Sequence, residues 1–165
     1  MSQPVPEGLP NATPVDIHPF HVSHINVLSH DWRASLAFYS QVFGARYRFH
    51  LGPRKVVTDI DGFEFFIEEV DDFVVNPFFH FGLRTTTEGV YAFAERLDRL
   101  GVPMVKGNNP APGPMVGPDQ VRVALYVEDP DGWLIEVYSP EKQVLESDLL
   151  DHDPRWVVPV AERSS

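Results

Sequence analysis

"LYVEDPDGWLIEVYSP", residues 125–140, reads as a strand, a turn and a second strand that carries a carboxylate among apolar neighbours. Alternation puts Leu134, Glu136 and Tyr138 on one face and Trp133, Ile135 and Val137 on the other. Asp131-Gly132 supplies the turn. A carboxylate flanked by Ile135 and Val137 loses its hydration unless a cation or a hydrogen-bond donor meets it, because an unpaired buried charge is very costly. Glu136 therefore belongs either to a wet edge strand or to a site.

The same pattern occurs earlier in the chain. "KVVTDI" (55–60) and "FEFFIEEV" (63–70) flank Asp61-Gly62, and "RYRFHLG" (46–52) precedes them. Upstream, "FHVSHINVLS" is strand-like. "DWRASLAFYSQVFG" then places Trp32, Leu36, Tyr39 and Phe43 on one helical stripe, with Gly44 as the stop. Residues 20–76 thus read βαβββ. The second half begins with "FHFGLRT" (79–85) and a helix capped by Thr87, with Val90, Phe93, Ala94, Leu97 and Leu100 inward and Gly101 as the stop. "PMVKG", "VRVALYV" and "WLIEVYS" complete βαβββ over residues 79–140.

The offsets support a repeat: His24 to His80 is 56 residues, Gly44 to Gly101 is 57, and Asp61 to Asp131 is 70. The Pro/Gly-rich loop "KGNNPAPGPMVGP" (106–118), inserted in the second copy, accounts for the growing offset. Residues 1–19 hold five prolines and read as an extended arm, and residues 141–165 as an acidic tail. The fold expected is α+β, with two βαβββ modules in a cupped mixed sheet.

Composition narrows the function. The chain has 165 residues and 24 acids against 13 bases, a formal charge of −11 that repels phosphate backbones, so nucleic acid is not an expected partner. No apolar run approaches the roughly 20 residues that span a bilayer, and the start lacks a basic region followed by an apolar one. With no cysteine, any metal must be held by His, Asp or Glu, and the cytoplasm is the expected location. Superposing the repeats puts His24 and His80 at matching places on the first strand of each module and Glu136 on the last strand of the second. Two imidazoles and a carboxylate make a divalent-metal ligand set, and a cation would compensate Glu136. The first module's equivalent of Glu136 is Phe66, so the set has three protein ligands. His18, His21, His30 and His152 are read as ordinary histidines.

"HINVLSHDWRASLAFYSQVFG" and "DPDGWLIEVYSP" resemble the opening and close of modules in the vicinal oxygen chelate superfamily, which includes glyoxalase I, fosfomycin-resistance proteins, bleomycin-binding proteins and extradiol dioxygenases. "LYVEDPDGWLIE" resembles the extradiol signature. The resemblance implies Fe(II) bound by His24, His80 and Glu136, Tyr126 bonding a metal-bound substrate, and a small catechol cleaved with O₂. A compact enzyme such as an L-DOPA dioxygenase is the nearest analogue, and a homodimer is implied. One departure matters: "GPD" (117–119) stands where that signature has its acid/base histidine. His50 or Tyr138 are the substitutes considered.

Arg84, alternating with His80 and Gly82, is read either as a substrate-carboxylate anchor or as the partner of a surface acid, the latter favoured. The alternatives are a glyoxalase- or fosfomycin-type metalloenzyme and a metal-free binding protein of the bleomycin-resistance kind. Glyoxalases use four protein ligands, which Phe66 opposes unless a slip of register brings Glu68 into play.

Overall fold

The computed structural model describes residues 22–106, 109–110, 115–116 and 123–140. The N-terminal arm, the C-terminal tail and most of the inserted loop lie outside them. The elements are β1 (His24–Ser29), α1 (Trp32–Phe43), β2 (Arg46–His50), β3 (Lys55–Ile60), β4 (Phe63–Glu69), β5 (His80–Arg84), α2 (Thr87–Leu100), β6 (Met104–Lys106), β7 (Asn109–Pro110), β8 (Met115–Val116), β9 (Val123–Glu128) and β10 (Leu134–Ser139). The expected α+β architecture holds.

One sheet has the order β1-β4-β3-β2 and the other β5-β10-β9-β6, with β7 added on β6 and β8 on β9. In each module the first strand lies parallel to the last, and the remaining pairings are antiparallel. The repeat read from sequence is therefore a repeat of topology. The inserted loop contributes only the two-residue strands β7 and β8 among the described residues.

Local chemistry sets the boundaries. Asp31 caps α1 by accepting from the amide of Arg33 at 2.9 Å, and Gly44 ends the helix in the left-handed conformation. The hairpin between β3 and β4 turns through Asp61 and Gly62, at φ 50° and 84°, the conformation this dipeptide favours. Two expectations for α2 need correction. Its cap is Thr86, not Thr87: the Thr86 hydroxyl accepts from Gly89 N at 3.0 Å, while Thr87 turns inward and donates to Ser139 at 3.1 Å. Leu100, at the helix end, is 43% exposed, and the buried stripe runs through Thr87, Val90, Tyr91, Ala94 and Leu97.

Both modules contribute to one core, in which α1, α2 and the inner faces of the sheets bury Tyr39, Phe65, Ile67, Val90, Leu97 and Ile135. A polar clasp joins them. Buried Tyr39 of α1 donates to Asp129 Oδ2 at 2.8 Å, and the other Asp129 oxygen accepts the amides of Asp131 and Trp133. Asp131 meets the Ser35 hydroxyl at 3.2 Å and both the amide and Nδ1 of His30. Trp133 Nε1 donates to Leu28 O at 2.7 Å. Burial pushes the Asp129 carboxyl up to about 6. Burial acts the same way on Asp131, but bonds from His30, Ser29 and Ser35 outweigh it and hold that carboxyl below its ordinary range. The turn opening the second module's last strand is thus fastened to the first module.

Candidate metal centre

Glu136 lies on the outer face of the second sheet yet is only 5% exposed. It is paired by register with Gly82 on β5 and with Tyr126 on β9. The Tyr126 hydroxyl donates to Glu136 Oε1 at 2.8 Å, and His80 Nε2 lies 3.5 Å from Oε2. His80 also meets the Tyr126 ring edge-on at 5.9 Å between centroids. A carboxylate, an imidazole and a phenol from three adjacent strands thus converge.

Gly82 makes the convergence possible. A Cβ at this position would come within 3.0 Å of Tyr138 Cε1 and 3.6 Å of Glu136 Oε2. The Tyr138 ring therefore lies across the bare glycine beside the carboxylate. An aspartate or glutamate hidden among strands needs compensation, and Tyr126 supplies one neutral donor.

His24 does not join this group. It starts β1 on the first sheet, takes a 2.9 Å hydrogen bond at Nδ1 with the Ser23 hydroxyl, and stacks on Phe66 with centroids 4.4 Å apart. Among the described residues no three His, Cys, Asp or Glu side chains come together as a metal site. His50 sits on edge strand β2, against Trp32 and Tyr47, and meets no member of the Glu136 cluster in these contacts. Of the predicted residues the fold thus gathers His80, Glu136 and Tyr126, with Tyr138 beside them, and keeps His24 and His50 on the other sheet.

Register also identifies the first module's counterpart of Glu136. Asn26, two residues past His24, pairs with Phe66, as Gly82, two residues past His80, pairs with Glu136. Phe66 is therefore the true counterpart of Glu136, with no slip toward Glu68. Glu68 is engaged elsewhere: it accepts from Lys55 Nζ at 3.0 Å and Asn26 Nδ2 at 2.9 Å, bonds that hold its carboxyl below the ordinary range. This small network was missed in the sequence. Its signal was the alternation that sets Asn26 and Glu68 on the faces of His24 and Phe66. Arg84, exposed at the end of β5, makes no ion pair with an acid among the described residues.

The donors fit a divalent cation. Two ligand atoms each about 2.1 Å from one ion are separated by roughly 3.0–3.4 Å at ordinary bond angles, close to the observed 3.5 Å between His80 and Glu136. Nitrogen and oxygen donors without thiolate suit Mn, Fe or Zn rather than a soft ion.

The profile of the glyoxalase/bleomycin resistance protein/dioxygenase superfamily matches residues 21–137. The chain belongs to this superfamily. Among solved structures, FosX, a fosfomycin resistance protein from Listeria monocytogenes, superposes with a TM-score of 0.62 at 23% identity, over 78% of this chain and 97% of its own. A variant of FosX in complex with Mn(II) and 1S,2S-dihydroxypropylphosphonic acid gives 0.58 at 24%, over 81% and 98%. Lactoylglutathione lyase from Agrobacterium tumefaciens gives 0.60 at 19%, over 74% and 96%. No curated protein sequence matches the chain. Identities this low show the shared superfamily fold, and the site must be argued from its own residues. No described helix is long and apolar enough to cross a membrane.

Proposed function

We propose that this superfamily member is a divalent-metal enzyme acting on a small oxygen-bearing molecule, of the fosfomycin-resistance kind rather than the catechol-cleaving kind. The observation that carries the proposal is the approach of His80 and Tyr126 to the two oxygens of the hidden Glu136 carboxylate, at 3.5 and 2.8 Å.

His80 and Glu136 would hold the ion, and His24 of a second copy would complete the set. What supports this reading is that His24 lies on the first sheet and that no third ligand joins His80 and Glu136 among the described residues, so a homodimer would be the way to bring the three together. Such an ion supplies Lewis acidity toward a substrate oxygen and nothing redox is required of it. Tyr126 holds Glu136 in orientation and has a proton within reach of the site. Tyr138 walls the site beside Gly82. Lys55 shares the face of His24, lying 5.4 Å over the Phe66 ring, so the surface that delivers His24 also delivers an ammonium group for an anionic substrate. Two imidazoles with one carboxylate, and Phe66 where a fourth ligand would be, favour this reading over glyoxalase chemistry. The FosX complex with Mn(II) is a precedent within the fold.

A second reading, the Fe(II) extradiol dioxygenase cleaving a catechol with O₂, is favoured by one observation: Tyr126 bonds Glu136 as that family's tyrosine and glutamate would need to neighbour one another. One panel separates the two. Mn(II)-loaded protein is given fosfomycin with water or a thiol and followed by ³¹P NMR, then the glutathione hemithioacetal of methylglyoxal. Fe(II)-loaded protein is given catechols under oxygen-electrode recording. Fosfomycin turnover supports the proposal, and catechol-dependent oxygen uptake replaces it. Mn(II) binding that is untouched by His80→Ala and Glu136→Gln sinks both.

A further inference from the structure

A crevice of about 370 Å³ opens between the modules. Its lining comes from the end of α1, the end of β3, the β5–α2 connection, α2 and β10. Phe43 and Phe93, stacked with centroids 5.2 Å apart, form its aromatic side, with Ile60, Leu83 and Val137 beside them. Phe43, Ile60, Leu83 and Phe93 all pack against the buried core, yet each is only half-buried. The described residues thus leave the shared core unsealed along this seam, where large apolar side chains still meet water. One positive charge is fixed on the rim: Arg96 donates to the backbone oxygens of Val42 and Gln41 at the end of α1.

The chain leaves β10 at the same place. The amide of Thr85, a lining residue, donates to Tyr138 O at 2.8 Å, and the Thr87 hydroxyl meets Ser139 at 3.1 Å. Pro140 follows, and then "EKQVLESDLLD" (141–151), which carries Val144, Leu145, Leu149 and Leu150 among four acids and one base. Leu145 is five residues beyond Pro140, a reach of up to about 17 Å at roughly 3.3–3.6 Å per residue, and the crevice borders the exit itself. So short a tether holds this segment at high local concentration beside the seam. Its composition matches what the seam presents, with aliphatic side chains for the aromatic wall and the carboxylates of Glu146 and Asp148 for the Arg96 charge.

We infer that the crevice is the docking site of this chain's own residues 144–150, whose leucines close the seam over Phe43 and Phe93. Docked there, the segment ties the end of β10 to the first module, as the Asp129 clasp ties its beginning. The contact is independent of the proposed reaction.

The test uses the full chain, ¹⁵N-labelled and metal-free, with a nitroxide attached through Ser147→Cys, since the chain has no cysteine of its own. The amide signals of Gly44, Ile60 and Phe93 are expected to be lost. That of Val123, the register partner of Ser139 and so also close to the exit, is expected to survive. Leu145→Ser together with Leu149→Ser, both outside the core, is expected to restore the lost signals, and so is Ile60→Trp, which fills the crevice. Signal loss that follows distance from Ser139 alone, or that is unchanged by the two leucine substitutions, would overturn the inference. So would the same loss on mixing spin-labelled ¹⁴N chains with unlabelled-spin ¹⁵N chains, because the occupant would then come from a second copy.

Discussion

In the first module His24 stacks on Phe66, whereas in the second the equivalent His80 lies against Glu136. The strands carrying these pairs have the same order, direction and register. What differs is where positive charge comes from. In the first sheet the available carboxylate, Glu68, already has its cation in Lys55 and a further donor in Asn26. In the second, Gly82 occupies the position of Asn26 and Ala124 that of Lys55, and the imidazole of His80 stands 3.5 Å from Glu136. A duplicated scaffold thus yields one face with its lysine and glutamate paired and one on which the proposed function places an added ion.

The largest expected effect tests that asymmetry directly. Glu136→Gln keeps the volume and the acceptor for Tyr126 but removes the charge, and Mn(II) affinity measured by electron paramagnetic resonance is expected to fall roughly a thousandfold. Glu68→Gln is expected to leave it within about twofold, because the half-exposed Lys55 pair contributes about 1 kcal/mol or less. Equal losses would erase the comparison. Sharing between copies is tested by mixing His24→Ala with Glu136→Gln protein under conditions that exchange subunits. Random pairing regenerates intact sites in about a quarter of positions, so high-affinity Mn(II) binding is expected to return to that level.

The next effect concerns the clasp. The Asp129 carboxyl titrates near 6 in the folded protein and near 3.9 in an unfolded chain. Between those values the unfolded chain gives up the proton while the native protein keeps it, so stability falls as pH rises and levels off above about 6. That difference corresponds to a loss of about 3 kcal/mol. Urea denaturation from pH 4 to 7.5 is expected to show this fall in the wild type and a flatter profile in Asp129→Asn. A steeper profile in the variant would assign the dependence elsewhere. Smaller again is Tyr39→Phe, which deletes the hydroxyl that meets Asp129 at 2.8 Å. The expected cost is about 1–3 kcal/mol in urea midpoint-derived stability, and no change in Mn(II) affinity.

The topology was legible because its signals are local: Asp61-Gly62 and Asp131-Gly132 mark hairpins, Gly44 and Gly101 end helices, and the 56-residue offset ties His24 to His80. Glu136 was legible because a carboxylate between Ile135 and Val137 breaks the strand pattern. The neighbourhood of Tyr126 and Glu136 was read only through the resemblance of their motif. How His24 would meet the other two was not legible: symmetry in sequence fixes equivalent positions within each module but not whether the two modules of one chain or of two copies share a site. Thr86 outcompeted Thr87 as the cap because adjacent threonines look alike until the hydroxyl of one finds Ser139.

The clasp has a consequence for anyone who would recombine these halves. The side chains that reach its two aspartates from the first module, Tyr39, Ser35 and His30, are encoded before residue 45, and Asp129 and Asp131 themselves after residue 128. The first half has no Asp-Pro-Asp turn of its own. A chimera that splices either half onto a relative therefore inherits one side of a lock without its key, and must import both to keep Glu136 at the right height.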